Sequence, residues 1–449
     1  MIGNVGAKIR NSADLGKILA NSGWLFADKI VRMGMGLLVG AWVARYLGPE
    51  QFGLWSIAIA LVSLVASISG LGLSELLVRD LVEASATRPK LLGTAFLLKC
   101  GAGAAALIVA MLLAQHAKAA SPLFLTIVLL TAISSFFQAF DVIELHFQSL
   151  LRSRFPVIAR SVAFMAASSL KIVFILQTRP LIYFVWTAVI ETLLGVGMLL
   201  FFYSRASQQI RQWSWDYALA RRLLGNSWPL ILSSLVIMVY MRIDQVMLGQ
   251  MLGTKAVGEF SAAVRLSEFW YFIPVAITSS FFPSIVQLRT QNPRAYLQRL
   301  QSVLDLVTLA GLAIALLTTV AAPVIIRVLY GEQYHGAAQV LALHIWAGVF
   351  VFLGVAGSQW FIVENLQKFS FYRALSGAVI NVLLNVVLIP RFGPAGSALA
   401  TLVSQGVASY LANAVSRQTS PLFRMQTLAL WNAITLRPIL SLRGSQSHE

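Results

Sequence analysis

Long apolar runs alternate with short polar breaks along almost the whole chain. A run of about 20 apolar residues is long enough to cross the hydrocarbon core of a bilayer as a helix. Strands with alternating apolar and polar residues are missing, so the pattern predicts an all-α integral membrane protein. The twelve predicted spanning helices are 21–44, 52–74, 91–114, 122–145, 157–177, 180–203, 227–250, 257–286, 302–326, 337–363, 369–390 and 394–416.

The two halves of the chain repeat one pattern at an offset of 205 residues. Residues 47–53 (LGPEQFG) match residues 252–258 (LGTKAVG), keeping the leucine and both glycines. Six helices per half is an even number, so the second half enters the membrane in the same orientation as the first. The repeat therefore predicts two parallel six-helix bundles with pseudo-two-fold symmetry along the membrane normal.

The segments outside the bundles are more polar and amphipathic than the spans. We expect them to lie along the membrane surface, with a thirteenth span as the alternative for the last of them. The predicted organisation is an amphipathic N-terminal segment at 1–20, a first bundle at 21–203, a cytoplasmic amphipathic linker at 204–226, a second bundle at 227–416, and an interfacial helix and tail at 417–449.

The composition excludes a soluble globular domain. The chain is 58% hydrophobic and 11% charged, with a mean hydropathy of +0.77, whereas about a quarter of the residues of a soluble domain are charged. The single cysteine, Cys100, excludes an internal disulfide. The five histidines have no metal-ligand spacing and no P-loop occurs, so no cofactor, metal or nucleotide-driven pump is predicted.

The net charge of +17 is distributed unevenly between the two predicted membrane faces. The face that carries both termini has 21 lysines and arginines, and the opposite face has six. By the positive-inside rule, both termini lie in the cytoplasm. The basic charge is therefore a topology signal, and we expect no nucleic-acid partner. The six opposite residues are Arg45, Lys118, Arg179, Lys255, Arg327 and Arg391.

Ionisable residues occur inside several predicted spans, although each costs about 2.5–3.5 kcal/mol at mid-helix. Some could simply neutralise a helical neighbour, as Asp28 could neutralise Arg32 and Glu268 could neutralise Arg265. We predict that others line a cationic cavity for a phosphate-bearing substrate. The predicted cavity cations are Lys29, Arg32, Arg242 and Arg265. The carboxylates assigned to ion coupling or pairing are Asp28, Asp141, Glu144, Asp244 and Glu268.

Five segments in chain order resemble polysaccharide flippases of the O-antigen type. They are ARYLGPEQFGLWS (44–56), GLGLSELLVRDL (70–81), the stretch 226–266 with its Arg242-x-Asp244 unit, FFPSIVQL (281–288), and NVLLNVVLIPRFGPAGSALAT (381–401). This family belongs to the superfamily that also contains the multidrug/toxin exporters and the lipid II flippases.

The resemblance implies an alternating-access transporter in the cell inner membrane. Its cargo would be a polyprenyl-diphosphate-linked oligosaccharide, moved to the outer leaflet without covalent chemistry, and polysaccharide polymerase or ligase components would be its partners. An ion-coupled small-molecule exporter of the same fold is the alternative function. A membrane glycosyltransferase or polymerase is a third hypothesis, but the predicted outer loops are too short to carry a catalytic site.

Overall fold

The computed structural model describes residues 12–83, 88–206 and 210–435, with side chains from residue 32 onward. Most of the predicted N-terminal segment and the end of the tail lie outside these residues. The α-helices are α1 (Ser12–Ser69), α2 (Leu73–Glu83), α3 (Arg88–Gln115), α4 (Pro122–Phe136), α5 (Asp141–Ser149), α6 (Arg154–Leu176), α7 (Leu181–Arg205), α8 (Tyr217–Met251), α9 (Thr254–Phe269), α10 (Phe272–Gln291), α11 (Pro293–Tyr330), α12 (His335–Val363), α13 (Lys368–Gly406), α14 (Ala412–Val415) and α15 (Ser420–Ile434).

Ten helical segments of the described chain are long and apolar enough to cross a membrane. Two of them, Arg32–Glu83 and Lys368–Val415, are 52 and 48 residues long, about twice the length that one crossing needs. Each of these two is broken by a glycine with non-helical backbone angles, at Gly48 and at Gly393. If each counts as two crossings, the total equals the twelve predicted spans, and the all-α prediction is confirmed.

The break in α1 depends on a backbone conformation that favours glycine. Gly48 has φ 75° and ψ 165°, and Pro49 follows it. Gly253, its partner in the 205-residue repeat, has nearly the same angles, φ 91° and ψ −173°. Side chains other than hydrogen are strained at such angles. The repeated glycine therefore turns the chain in the same way at both places.

The chain folds into two compact units that each combine separate stretches of sequence. The N-terminal unit contains the described part of residues 1–46 together with 61–235, and the C-terminal unit contains 47–60 with the described part of 236–449. The core of the first unit is packed around Leu77 and Phe147, and that of the second around Leu304 and Phe361, all fully buried.

Segment 47–60 and α9 pack closely within the C-terminal unit. A methyl group added to Gly53 would collide with the carbonyl oxygen of Thr254, and one added to Gly258 would collide with the carbonyl oxygen of Pro49. Gly53 and Gly258 are partners in the repeat, as are Pro49 and Thr254. The contact is therefore reciprocal, and only glycine permits it at both places.

Two segments that were predicted to lie along the membrane surface are connected more closely to the spanning helices than that prediction implied. Helix α8 begins at Tyr217, so the second half of the predicted linker 204–226 continues directly into a spanning helix. Helix α15 packs against α11 and α12, with Leu422 and Ala429 buried in the core of the C-terminal unit. Gln426 also donates to the carbonyl of Leu353 on α12 at 3.3 Å. Side-chain packing thus holds residues 420–434 alongside the spanning helices.

Candidate functional site

The N-terminal unit contains a cavity of about 410 Å³ bordered by α1, α5, α6 and α7. All of its ionisable lining residues belong to helical segments that are long and apolar enough to span the membrane. A charged group at such a place must be hydrated or paired to be tolerated. The ionisable lining residues of this cavity are Arg32, Asp141, Glu144, Arg160 and Glu191.

Two of the carboxylates come from the first turn of α5. A 3₁₀ turn at Phe137–Phe140 precedes this helix, which begins at Asp141. Asp141 and Glu144 are three residues apart, and this spacing places both side chains on one helical face. The local fold therefore presents both carboxylates to the same cavity.

Each carboxylate of the cavity has a cationic partner. Lys99 of α3 is only 2% exposed, and its Nζ lies 2.6 and 2.7 Å from the two carboxylate oxygens of Asp141. A buried charge needs such a partner because it has lost its water. The other ion pairs are Arg160–Glu144 and Lys171–Glu191, the latter at 3.8 Å.

The charge at this cavity is mixed. Two arginines, Arg32 and Arg160, line it together with three carboxylates, and Lys99 and Lys171 pair with two of these carboxylates without being lining residues themselves. Such a lining offers donors to an anion and acceptors to hydroxyl groups. Lys29, which was predicted to line the cationic cavity, and Asp28, which was assigned to ion coupling or pairing, lie in the part of α1 for which only the backbone is described.

The C-terminal unit contains a second group of charged side chains. Arg242 of α8 and Glu268 of α9 form an ion pair at 3.6 Å. Arg265 lies three residues before Glu268 and was considered as its neutralising neighbour, but the carboxylate pairs with the other helix instead. The pair therefore connects two helices of this unit.

Arg265 has an aromatic partner in the repeated segment. Its guanidinium carbon lies 4.8 Å from the ring centre of Phe52, which is 1% exposed. The ring of Tyr334 packs against the same ring in an edge-to-face arrangement, with the ring centres 6.3 Å apart. A guanidinium above an aromatic face is stabilised by the ring quadrupole. Phe52 thus holds Arg265 in one orientation.

Asp244 belongs to a different environment from Arg242, although the two are close in sequence. Residues two apart on a helix do not face each other. Asp244 is 4% exposed and accepts hydrogen bonds from Asn385 Nδ2 at 2.7 Å and from Thr401 Oγ1 at 2.6 Å. The Arg242-x-Asp244 unit is therefore not an ion pair in this structure.

The predicted site residues fall into three groups in the described chain. Arg32, Asp141 and Glu144 share the cavity of the N-terminal unit, whereas Arg242, Arg265 and Glu268 lie in the C-terminal unit on α8 and α9. Asp244 belongs to a polar cluster with α13. Sequence reasoning did not identify the partners Phe52, Asn385 and Thr401 as part of these groups. Two asparagines four apart in an apolar run, at 381 and 385, were a usable signal for the last group.

A family model described as "Polysaccharide biosynthesis protein" matches residues 42–339 of this chain. The match covers about two-thirds of the sequence, from the end of the predicted first span to the start of α12. It includes four of the five segments on which the sequence resemblance rests, and only 381–401 lies outside it.

Two curated proteins of Haloferax volcanii are similar to part of the chain. "Probable flippase AglR" is 30% identical over 190 residues, which cover 40% of this chain and 39% of that protein. "Probable low-salt glycan biosynthesis flippase Agl15" is 25% identical over 206 residues, covering 44% and 43%. The chain thus spans about two-fifths of the length of the curated relatives that it matches.

Solved transporter structures share the fold over nearly the whole chain. The lipid II flippase MurJ in an inward closed conformation has a TM-score of 0.73 at 16% identity, covering 95% of this chain and 93% of MurJ. An inward-facing MATE multidrug resistance transporter of the MOP superfamily has a TM-score of 0.69 at 16% identity, covering 89% and 96%. The resemblance predicted from the five sequence segments is confirmed, and the chain belongs to the polysaccharide biosynthesis protein family.

Proposed function

We propose that the chain is a flippase that moves a polyprenyl-diphosphate-linked oligosaccharide from the cytoplasmic to the outer leaflet. It works by alternating access in the cell inner membrane, with both termini in the cytoplasm. The uneven distribution of lysine and arginine supports this orientation. The family membership and the flippase names of the two curated relatives support the cargo class.

The observation that carries the proposal is the mixed-charge cavity of the N-terminal unit. Arg32 and Arg160 can donate paired hydrogen bonds to phosphate oxygens, a geometry that suits guanidinium groups. The carboxylates of Asp141, Glu144 and Glu191 can accept from sugar hydroxyls. The volume of about 410 Å³ lies within the range of small-ligand sites, about 300–1,000 Å³. A cavity of this volume suits the polar head group of the proposed polyprenyl-diphosphate-linked cargo.

To flip such a lipid, the protein must replace the water around the polar head group, and no covalent reaction is needed. The diphosphate and the sugar hydroxyls lose their hydration in hydrocarbon, which is a large free-energy cost. A polar cavity within spanning helices restores hydrogen bonds and counter-charges, while the polyprenyl tail remains in the bilayer. The chain therefore acts as a transporter and not as an enzyme, and polymerase or ligase components use the glycan that it delivers.

The test is translocation in proteoliposomes that contain the purified chain and a labelled polyprenyl-diphosphate oligosaccharide. Accessibility of the sugar to an external probe reports exchange between leaflets. We expect protein-dependent exchange that is at least about tenfold slower in Arg32→Ala, because hydrogen bonds to charged groups contribute about 1.5–3 kcal/mol. Arg265→Ala tests the second cationic group in the same way.

Arg327→Ala is the matched control for both variants. Arg327 is largely exposed and forms its ion pair with Glu332 at the end of α11, not with a residue of either charged group. The Arg327→Ala variant should exchange the lipid between leaflets at the wild-type rate. Wild-type exchange in both Arg32→Ala and Arg265→Ala would contradict the role of these arginines. Absence of exchange by folded wild-type protein, with and without an ion gradient, would contradict the flippase proposal.

An ion-coupled exporter of small molecules is the second candidate. The three carboxylates in the cavity favour it, since they could bind a cationic substrate or a proton. The fold shared with MATE transporters is compatible with either function. Uptake of a cationic dye driven by an imposed ion gradient, without lipid exchange, would decide for this alternative.

A further inference from the structure

The C-terminal unit contains an open cavity that shares no lining residue with the cavity of the N-terminal unit. It has a volume of about 370 Å³ and is formed where three junctions of the chain meet. These are the break of α1 at 47–51, the beginning of α9 at Lys255, and the turn between α11 and α12 at 333–335. In the proposed orientation all three junctions lie at the outer face of the membrane, and we call this cavity the outer pocket.

The outer pocket is lined mainly by polar side chains. Five of its eight described lining residues can form hydrogen bonds through their side chains, and all five are exposed: Glu50, Gln51, Lys255, Gln333 and His335. The carboxylate supplies acceptors, the ammonium supplies donors, and each glutamine supplies both. A ligand in this pocket would therefore meet donors and acceptors side by side.

The charge balance distinguishes the outer pocket from the cavity of the N-terminal unit. One carboxylate, Glu50, and one ammonium group, Lys255, line the outer pocket, so their charges cancel. An anion would be attracted by Lys255 and repelled by Glu50. Neutral groups that both donate and accept hydrogen bonds, as hydroxyl groups do, match such a lining better than a phosphate does.

Glycine contacts hold the repeat-related sides of the outer pocket in place. The carbonyl group of Pro49, a lining residue, packs against Gly258 of α9 in the reciprocal contact described above. The turn at Gly48 also receives the amide of Gln333, because a methyl group on this glycine would lie 3.4 Å from Gln333 Oε1. The break of α1 is therefore in contact with both other junctions of the pocket.

The turn before α12 is supported from behind by Glu259. A methyl group on Gly336 would collide with the carboxylate of Glu259, so this carboxylate packs against the first turn of α12. Glu259 lies on α9, four residues after Lys255, and is not a lining residue. Helix α9 thus contributes a donor to the pocket and supports its third side. Groups that are held in place before binding lose less conformational freedom when a ligand arrives.

We propose that the outer pocket binds neutral sugar residues of the glycan that the protein delivers. The identity of the ligand rests on the proposed flippase function, whereas the set of hydrogen-bonding groups belongs to the pocket itself. Sugar rings carry neighbouring hydroxyl groups, and one side-chain amide can donate to one of them and accept from the next. The described lining has no aromatic ring on which a sugar could stack. Binding is therefore weak, which allows the delivered glycan to leave.

The test uses a labelled polyprenyl-diphosphate lipid whose sugars are neutral. Mild acid releases its oligosaccharide without the diphosphate, and a diazirine group is attached to the reducing end. Illumination with purified full-length protein in detergent crosslinks the bound sugar, and mass spectrometry locates the modified residues. We expect saturable labelling at 47–51, Lys255 or 333–335, with a Kd of about 1 mM or weaker, because neutral hydrogen bonds between exposed groups contribute little each.

Gln51→Ala and Gln333→Ala remove one amide each from the pocket. Each variant should weaken the labelling at the outer pocket by about two- to tenfold, and the double variant should weaken it further. Both side chains are exposed, so the variants should fold, and their unfolding midpoints check this. Gln298→Ala is the matched control, because Gln298 is an exposed glutamine near the beginning of α11, whereas the pocket lies beyond its end. The control should be labelled like the wild type.

Three results would overturn the sugar site. The first is a wild-type protein that exchanges the parent lipid but shows no saturable labelling at the three junctions. The second is undiminished labelling in the double variant. The third is labelling that inorganic phosphate at equal concentration abolishes, which would make the pocket an anion site. Labelling at the pocket without lipid exchange would contradict the flippase function and support the sugar site, whereas loss of both would overturn both proposals.

Discussion

Gly53 and Gly258 occupy equivalent positions in one reciprocal contact, although 205 residues separate them in the sequence. Each lies against the carbonyl group that precedes the other by four residues, in Thr254 and Pro49 respectively. The buried hydroxyls of Ser56 and Ser261, three residues further along, are also equivalent, and neither has a hydrogen-bond partner in the described structure. Residues that are equivalent in the sequence repeat thus make equivalent contacts in the structure.

The first prediction concerns this contact. Gly53→Ala and Gly258→Ala should each destabilise the protein by about 1–3 kcal/mol, because a methyl group placed against a rigid backbone carbonyl forces the helices apart. Thermal unfolding in detergent measures the change. Gly197→Ala in α7 is the control, since a methyl group there meets no atom within 4 Å. Equal stability of all three variants would contradict the close approach.

The second prediction concerns the ion pair between α8 and α9. Arg242→Gln and Glu268→Gln should each lower stability, while the double variant should lose less than the sum of both. A double-mutant cycle measures the difference, which we expect to be about 0.5–3 kcal/mol for contacting residues. Additive losses would mean that Arg242 and Glu268 do not interact. Arg265 would then be the residue that neutralises Glu268.

The third prediction concerns the buried lysine of the N-terminal unit. Lys99→Met should lower stability by about 1–3 kcal/mol, because it leaves the Asp141 carboxylate without its partner. Asp141 remains partly exposed, which limits the loss. Adding Asp141→Leu should restore most of the stability without restoring transport. Denaturation and lipid exchange on the same preparations separate these two effects, and transport by the double variant would contradict a substrate role for Asp141.

The fourth prediction concerns Arg373 and the π-helical turn at Val407–Leu411 that follows α13. Arg373 Nε donates to the carbonyl of Ala408 at 2.8 Å, and the guanidinium lies over the ring of Phe361 at 5.0 Å. Arg373→Gln should cost about 1–3 kcal/mol, because a buried carbonyl loses its donor. Hydrogen exchange should increase within 407–411. Lys368→Gln, near the exposed start of the same helix, should leave both quantities unchanged.

Hydrophobic periodicity predicted the spanning helices well, because burial in lipid demands a long apolar run whatever the tertiary partners are. The predicted span 157–177 shows this, since the structure has α6 at Arg154–Leu176. The beginning of α8 was less predictable. Its first turns are basic and amphipathic, so the sequence alone could not separate a surface linker from the end of a long helix.

The pairing of charges depended on contacts that local sequence does not contain. Asp141 and Glu144 were assigned to ion coupling or pairing, but the sequence did not identify their partners Lys99 and Arg160, which come from other helices. Asp244 illustrates the same limit. Arg242 was its nearest charged neighbour in the sequence, whereas its hydrogen-bond partners lie 141 and 157 residues away. Helical geometry already argued against the local pair, since residues two apart do not face each other.

The reciprocal glycine contact has the geometry of an isologous dimer interface, in which residue i of one partner meets residue j of the other and the reverse. Here both partners belong to one chain. A polypeptide carrying a single copy of the repeat would possess every residue needed to pair with a second copy of itself through this surface. Fusion of the two copies then leaves each one free to change separately from the other.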